Sequence, residues 1–296
     1  MYFIYHIKIK GEKVLIGQED LQNLIETQIK NDTFPHFSII VGNKGSGKKT
    51  LVNKIFDYFM IYKDFTSKYT LFDIKVDNVR EMITDVYKSH NTLYVILDAD
   101  TMSINAKNSL LKVVEECPNN NYFIMTLQDK NNTLETIRSR GSVYEMQPYT
   151  KSQLEEYALN ITNNKDEIDK LISICENFGE IETLATIGIN KFYNYVETVI
   201  ENIATVSGAN AFKIADKIAL KDEKDKYDLK LFLKTFANLC LAKEIEMFEI
   251  KDLESAEMYS NAVVITLSTL RDLKVRAINK TMLFDKWILL IREVWL

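Results

Sequence analysis

Proline is nearly missing from this chain. The three present, Pro35, Pro118 and Pro148, lie in the first half, so nothing after residue 148 loses a backbone donor to a pyrrolidine ring. Glycine is sparse there too, with Gly179, Gly188 and Gly208 alone. Such a stretch favours helices. The three cysteines, Cys117, Cys175 and Cys240, and the three histidines, His6, His36 and His90, have no spacing that suits a metal site or a disulfide framework. They read as ordinary thiols in a reducing compartment, and no metal site is expected. No apolar run reaches the roughly eighteen residues of a membrane span. The opening MYFIYHIKIK lacks a charged lead, a sustained apolar stretch and a small-residue cleavage site, so it is a poor signal peptide. These absences point to a cytoplasmic protein with no membrane partner. Positive charge is not in excess either. A net charge of −5 gives no global field that would hold the chain on nucleic acid by itself, though a local basic patch stays open.

What is present is ordinary for a globular protein. At 296 residues and 46% hydrophobic, the chain can bury two or three compact units. Short apolar runs at 37–41, 71–76, 93–97, 122–127 and 143–146 read as buried strands. Helical spacings lie between them, such as Leu51, Val52, Ile55, Phe56 and Phe59, or Ala106, Leu110, Val113 and Val114. Strands alternating with helices imply a parallel sheet with helices on both faces. The second half carries helical faces instead, Leu229 to Cys240 and Leu283 to Trp295. The charged stretch 221–230 is most simply a solvated helix end or loop. The fifteen tyrosines and fifteen phenylalanines fall mostly at core spacings, which favours packing over base stacking.

The first apolar run leads into Gly42-Asn43-Lys44-Gly45-Ser46-Gly47-Lys48-Lys49-Thr50 and then an apolar helix. This is close to the phosphate-loop pattern G-x-x-x-x-G-K-[ST]. Glycines let successive backbone N–H groups curl around phosphate oxygens, the next helix presents its positive end, and Lys48 adds a point charge. The hydroxyl that would coordinate Mg²⁺ is replaced by Lys49, with Thr50 one place late. An ammonium cannot ligate a cation, and Thr50 faces about 100° round the helix. ATP or ADP bound weakly, without efficient hydrolysis, is the ligand such a loop would take; a glycine-rich turn without ligand is the alternative. The run 93–97 ends at Asp98-Ala99-Asp100, where a hydrolysing site needs an Asp for Mg²⁺ and then a Glu to polarise water. With Asp98 first, Ala99 replaces the Glu; with Asp98 second, Leu97 replaces the Asp. A plainer alternative is that Asp98 and Asp100 end the strand and cap the next helix.

An ordered series of motifs completes the pattern: Ile16-Gly17-Gln18-Glu19, Pro35-His36, the phosphate loop, Ile74 to Glu81, Ala99 to Ser103, Asn108 to Lys112 with Glu115-Glu116-Cys117-Pro118, and Thr136-Ile137-Arg138-Ser139-Arg140. From about residue 16 to 150 this series resembles the AAA+ clamp-loader proteins, most of all those of bacterial delta-prime type. The resemblance implies an AAA+ core over 1–150, a small helical lid over 151–193 and an all-helical collar over 194–296. It also implies a five-subunit ring that opens a sliding clamp and places it on primed DNA. Its Ser-Arg-Cys motif falls on Ser139, Arg140 and Gly141, which makes Arg140 the arginine finger reaching a neighbour's ATP. The four-cysteine zinc module frequent in delta-prime proteins is absent from 61–90, and the lid's sensor arginine is replaced by Glu182. A carboxylate there would repel a triphosphate.

The expectation is a largely non-hydrolysing subunit of delta-prime type, within an assembly like the DNA polymerase III holoenzyme. Its partners would be ATPase subunits, a delta-like subunit, the sliding clamp and primer-template DNA. The rival expectations are an active AAA+ ATPase with an unusual site, using Thr50 or Asp100 for Mg²⁺, and a scaffold serving a non-replicative partner.

Overall fold

The computed structural model describes residues 16–203, 205, 211–213, 218–219, 227–273 and 278–295. The opening segment with His6, Gly208, and 221–226 of the charged stretch lie outside the described residues. The chain divides into two compact units, Met1–Gln153 with Asn177–Gly179, and Leu154–Glu176 with Glu180–Leu296.

The first unit is built on five parallel strands, β1 (Phe37–Val41), β2 (Ser67–Leu71), β3 (Thr92–Ile96), β4 (Tyr122–Leu127) and β5 (Ser142–Glu145), in the order β2-β3-β4-β1-β5. The central strands β1, β3 and β4 are buried along their whole length, as continuous apolar runs demand when helices cover both faces. One face packs on α1 (Glu19–Lys30) and α2 (Lys48–Lys63) through Ile25, Ile40, Leu51, Ile55, Phe59, Val95 and Ile124. The other packs on α3 (Val76–Val86), α4 (Ile104–Glu116) and the short α5 (Glu135–Arg138) through Ile39, Val79, Met82, Ile96, Leu110 and Ile137. Alternate residues of each strand serve opposite clusters, so each sheet face is paid for by a separate helix layer.

The run 71–76 is not a strand. The strand is Ser67–Leu71, and Val76 already begins α3. β2 lies at the sheet edge with a half-exposed, polar sequence. Ile74 and Val76 pack on the α3–α4 side as lead-in to a helix, so their hydrophobicity belongs to a different element.

The second unit is predominantly helical. It contains α7 (Lys165–Ile174) and α9 (Ile189–Asn202), most of α6 (Lys151–Leu159) and α8 (Phe178–Ile187), then three longer helices, Leu229–Glu249, Leu253–Asp272 and Lys280–Trp295. A two-residue parallel pairing joins Ile218–Ala219 to Tyr227–Asp228. Its core holds Phe232, Phe236, Phe284 and Trp287, with Phe236 edge-on to Trp287 at 4.8 Å between ring centres. The indole N–H of Trp287 donates to Thr266 Oγ1 at 3.0 Å, which satisfies the one polar atom this ring buries.

Candidate functional site

β1 ends at Val41 and α2 begins at Lys48, so 42–47 is a loop turning from the carboxyl end of a central strand into a helix N-terminus. Gly45 and Gly47 have φ of +84° and +90°, backbone that other residues adopt at a cost. Lys48 is buried and folds back on the loop, donating to the Gly42 carbonyl at 2.6 Å and the Asn43 carbonyl at 2.9 Å. Burial lowers its pKa from the ordinary lysine value, against a pull upward from the charges of Asp98 and Asp100. Lys49 is exposed and turns away, its ammonium 5.3 Å from the centre of the Phe72 ring. Thr50 is half-buried on α2.

Three residues from beyond the sheet sit on this loop. The Gly179 N–H donates to the Gly45 carbonyl at 3.2 Å. A Cβ at Gly179 would fall 2.6 Å from Gly45 Cα, and a Cβ at Gly45 would collide with Asn177 Oδ1. Phe178 stacks on Tyr149 at 4.0 Å, and the Tyr149 hydroxyl donates to the Ser46 carbonyl at 2.7 Å. Burial, then the Glu19 charge, push the Tyr149 phenol up to about 12, so it stays a donor at neutral pH. Neither Tyr149 nor Asn177 stands out in the sequence, because no local spacing links residues so far apart.

On β3, Leu93 and Val95 face the α1–α2 layer, and Leu97 continues that side. An aliphatic side chain therefore stands at the strand end facing the helix that leaves the phosphate loop. Asp98 follows in a left-handed conformation, φ 50°, its N–H donating to Thr126 Oγ1 at 2.9 Å. Ala99 is fully buried in the opposite cluster. The Asp100 carboxylate accepts from the Gln128 N–H at 3.0 and 2.9 Å and from the Asn132 amide at 2.9 Å, so it ties down the loop after β4. Neither aspartate caps α4. Ser103 does, accepting from the Ala106 N–H at 3.2 Å, which corrects the capping alternative raised from sequence. Among the described residues, no group of three or more His, Cys, Asp or Glu side chains could hold a metal ion.

Arg140 lies at the other end of the sheet. β5 runs parallel to β1 with Ser142 level with Ser38, so Arg140 sits near the start of β1. About 13 Å of strand separates that level from the phosphate loop. Arg140 Nε donates to Glu115 Oε2 at 3.0 Å, and Nη1 donates to the Thr136 carbonyl at 2.8 Å. The same carbonyl accepts from Ser139 Oγ at 3.2 Å. A Cβ at Gly141 would come within 2.9 Å of Phe37 and Ile39, so the close crossing over β1 explains a glycine where the motif has cysteine.

In the second unit, Glu182 accepts from the Tyr157 hydroxyl at 2.6 Å. Glu176 and Glu180 meet Lys230 at 2.8 and 2.9 Å, and Lys234 at 2.8 and 3.7 Å. All three cysteines are free, and burial raises their thiols, Cys117 to about 11 and Cys175 and Cys240 to about 12. None is therefore a ready thiolate.

Residues 56–150 match the family model for DNA polymerase III, delta subunit. DNA polymerase III subunit delta' of Bacillus subtilis is 32% identical over 97 residues, 28% of this chain and 30% of that protein. Replication factor C subunit 4 of Schizosaccharomyces pombe is 23% identical, covering 69% of this chain, and DNA polymerase III subunit gamma/tau of Mycoplasma genitalium is 21% identical, covering 81%. The chain spans 61% and 49% of those two relatives' lengths. The crystal structure of a DNA polymerase III gamma subunit-related protein from Thermotoga maritima shares the fold, with a TM-score of 0.51 at 13% identity, over 93% of this chain and 98% of that one. The motif series and these relatives make the chain similar to AAA+ clamp-loader subunits, with the match to the delta-subunit model confined to residues 56–150.

Proposed function

We propose that this chain is a clamp-loader subunit that hydrolyses little or no ATP itself and supplies Arg140 to the nucleotide of a neighbouring subunit. The observation that carries this reading is the placement of Arg140. It stands at the amino end of the sheet, and its own phosphate loop opens at the carboxyl end. A guanidinium there would serve a phosphate on another chain, where it would stabilise charge on the transferring group. The incomplete chemistry of the chain's own loop supports the same division of labour. Lys49 points to Phe72, Leu97 takes the strand-end position on the loop side, Ala99 is buried, and Asp100 is occupied by backbone donors. With Asp100 committed to other donors, Asp98 is left without a second carboxylate beside it on the strand end, so Lys48 and the loop amides would at most hold a nucleotide weakly.

In this reading residues 1–150 act as the AAA+ core, 151–193 as the lid and 194–296 as the collar. The partners are ATPase subunits, a delta-like subunit, the sliding clamp and primer-template DNA, in the cytoplasm. No described helix is long and apolar enough to cross a membrane. The test is an ATPase assay on the lone chain and on the assembly it forms with its own host's clamp-loader subunits. The lone chain is expected at background. Arg140→Ala is expected to lower turnover by the assembly a hundredfold or more, on the order of a lost finger. Brisk turnover by the lone chain, abolished by Lys48→Ala, would instead establish a working ATPase.

A further inference from the structure

The guanidinium of Arg140 has two edges, and the described residues engage only the inner one. Nε is committed to Glu115 at 3.0 Å, and one Nη1 proton to the Thr136 carbonyl at 2.8 Å. Among the described residues no acceptor meets the Nη2 protons, which leaves them for an outside one. The side chain is about one-third exposed, so it is neither a core arginine nor a freely waving one. Glu115 lies in the last turn of α4, an element otherwise locked into the sheet by Leu110, Val113 and Val114. Thr136 belongs to α5, whose Ile137 is fully buried. The bracing groups are thus anchored by two different helices, and the plane of the guanidinium is fixed by both.

We propose that Glu115 is the positioning residue of the arginine finger. It holds the Nε edge so that the Nη2 edge is presented to a phosphate oxygen of the adjoining subunit. This rests on the finger role proposed above. An unbraced arginine keeps several rotatable bonds and must lose their freedom when it reaches the phosphate; a braced one has already lost it. Because Glu115 is itself more than half exposed, the ion pair contributes little to stability, and its effect is directional.

The experiment uses the complete assembly and ATP as the probe, with steady-state turnover measured for Glu115→Ala, Glu115→Gln, Arg140→Ala and the double variant Glu115→Ala/Arg140→Ala. Glu115→Ala is expected to lower kcat about three- to tenfold with the KM for ATP unchanged, since ATP binds through the neighbour's own loop. Glu115→Gln keeps an acceptor for the Nε proton and should restore most of the rate. In the Arg140→Ala background, Glu115→Ala should change nothing further. Thermal melting and co-purification of the subunits check that each variant folds and assembles. An unchanged or raised kcat in Glu115→Ala, beside a large loss in Arg140→Ala, overturns the positioning role and leaves the finger standing. An equal loss from Glu115→Ala in both backgrounds overturns it as well, because the carboxylate would then act through something other than Arg140. An unchanged rate in Arg140→Ala removes the finger role and this inference with it.

Discussion

Single residues decide the chemistry of this molecule, and each does so through where its side chain is held. Lys49 is the clearest case. Its sequence position is that of a metal-ligating hydroxyl, but its ammonium is spent on the Phe72 ring. Replacing it alone should not rescue hydrolysis, because in either register the strand end still lacks one of the two carboxylates, with Leu97 or buried Ala99 in its place. Lys49→Thr is therefore expected to leave the lone chain at background in a phosphate-release assay, and measurable turnover would show that the missing hydroxyl was the sole defect. Gly45 makes a second point. Its φ of +84° and the close approach of Asn177 and Gly179 leave no room for a methyl group. Gly45→Ala should destabilise the chain by about 1–3 kcal/mol, read as a lower melting temperature, from backbone strain and overpacking together. An unchanged melting temperature would mean that the contact with 177–179 yields without cost.

At the scale of elements, paired charges join helices that have little sequence in common. Glu176 and Glu180 flank the segment 177–179, and both meet Lys230 and Lys234 on the helix Leu229–Glu249. Burial works against the Glu176 carboxylate, yet hydrogen bonds and charge from Lys230 and Lys234 outweigh it and bring its pKa down to about 2. Burial likewise disfavours charged Lys230, and the glutamates outweigh it and raise its pKa. A carboxyl depressed on folding contributes stability above its unfolded value of 4.5, and that contribution is lost as pH falls through about 2. Glu176→Gln should thus melt below wild type at pH 6, with the gap narrowing between pH 4.5 and 2. A gap that stays constant across that window would mean the pairing does not depend on ionisation.

Element positions were largely legible in the sequence, and the exceptions have a common cause. β1 and β4 fall on the expected runs because a central parallel strand is buried on both faces and has to be apolar throughout. β2 was misplaced because an edge strand buries only part of its surface, which lets Ser67 to Thr70 be polar while the more apolar segment leading to Val76 belongs to a helix. The proline-free second half read as helical, and its aromatic residues pack where their spacing puts them, Phe232 and Phe236 against Trp287. The acidic pair could be read in either register from sequence. Strand alternation continues through Leu97 on the loop side, and Asp98 then leaves the strand in a left-handed turn.

For the molecule as a whole, the sequence by itself determined the fold class, the position of the glycine-rich loop and the ordered motif series that resembles clamp-loader subunits, because these are written in local periodicity and short spacing. The tertiary structure alone decided which groups meet. It set Asn177 and Gly179 against the phosphate loop, committed Asp100 to the Gln128 amide, and braced Arg140 on Glu115. Those partners lie from 25 to 134 residues apart, and contacts at that range are set by sheet order and helix packing, which no local pattern encodes.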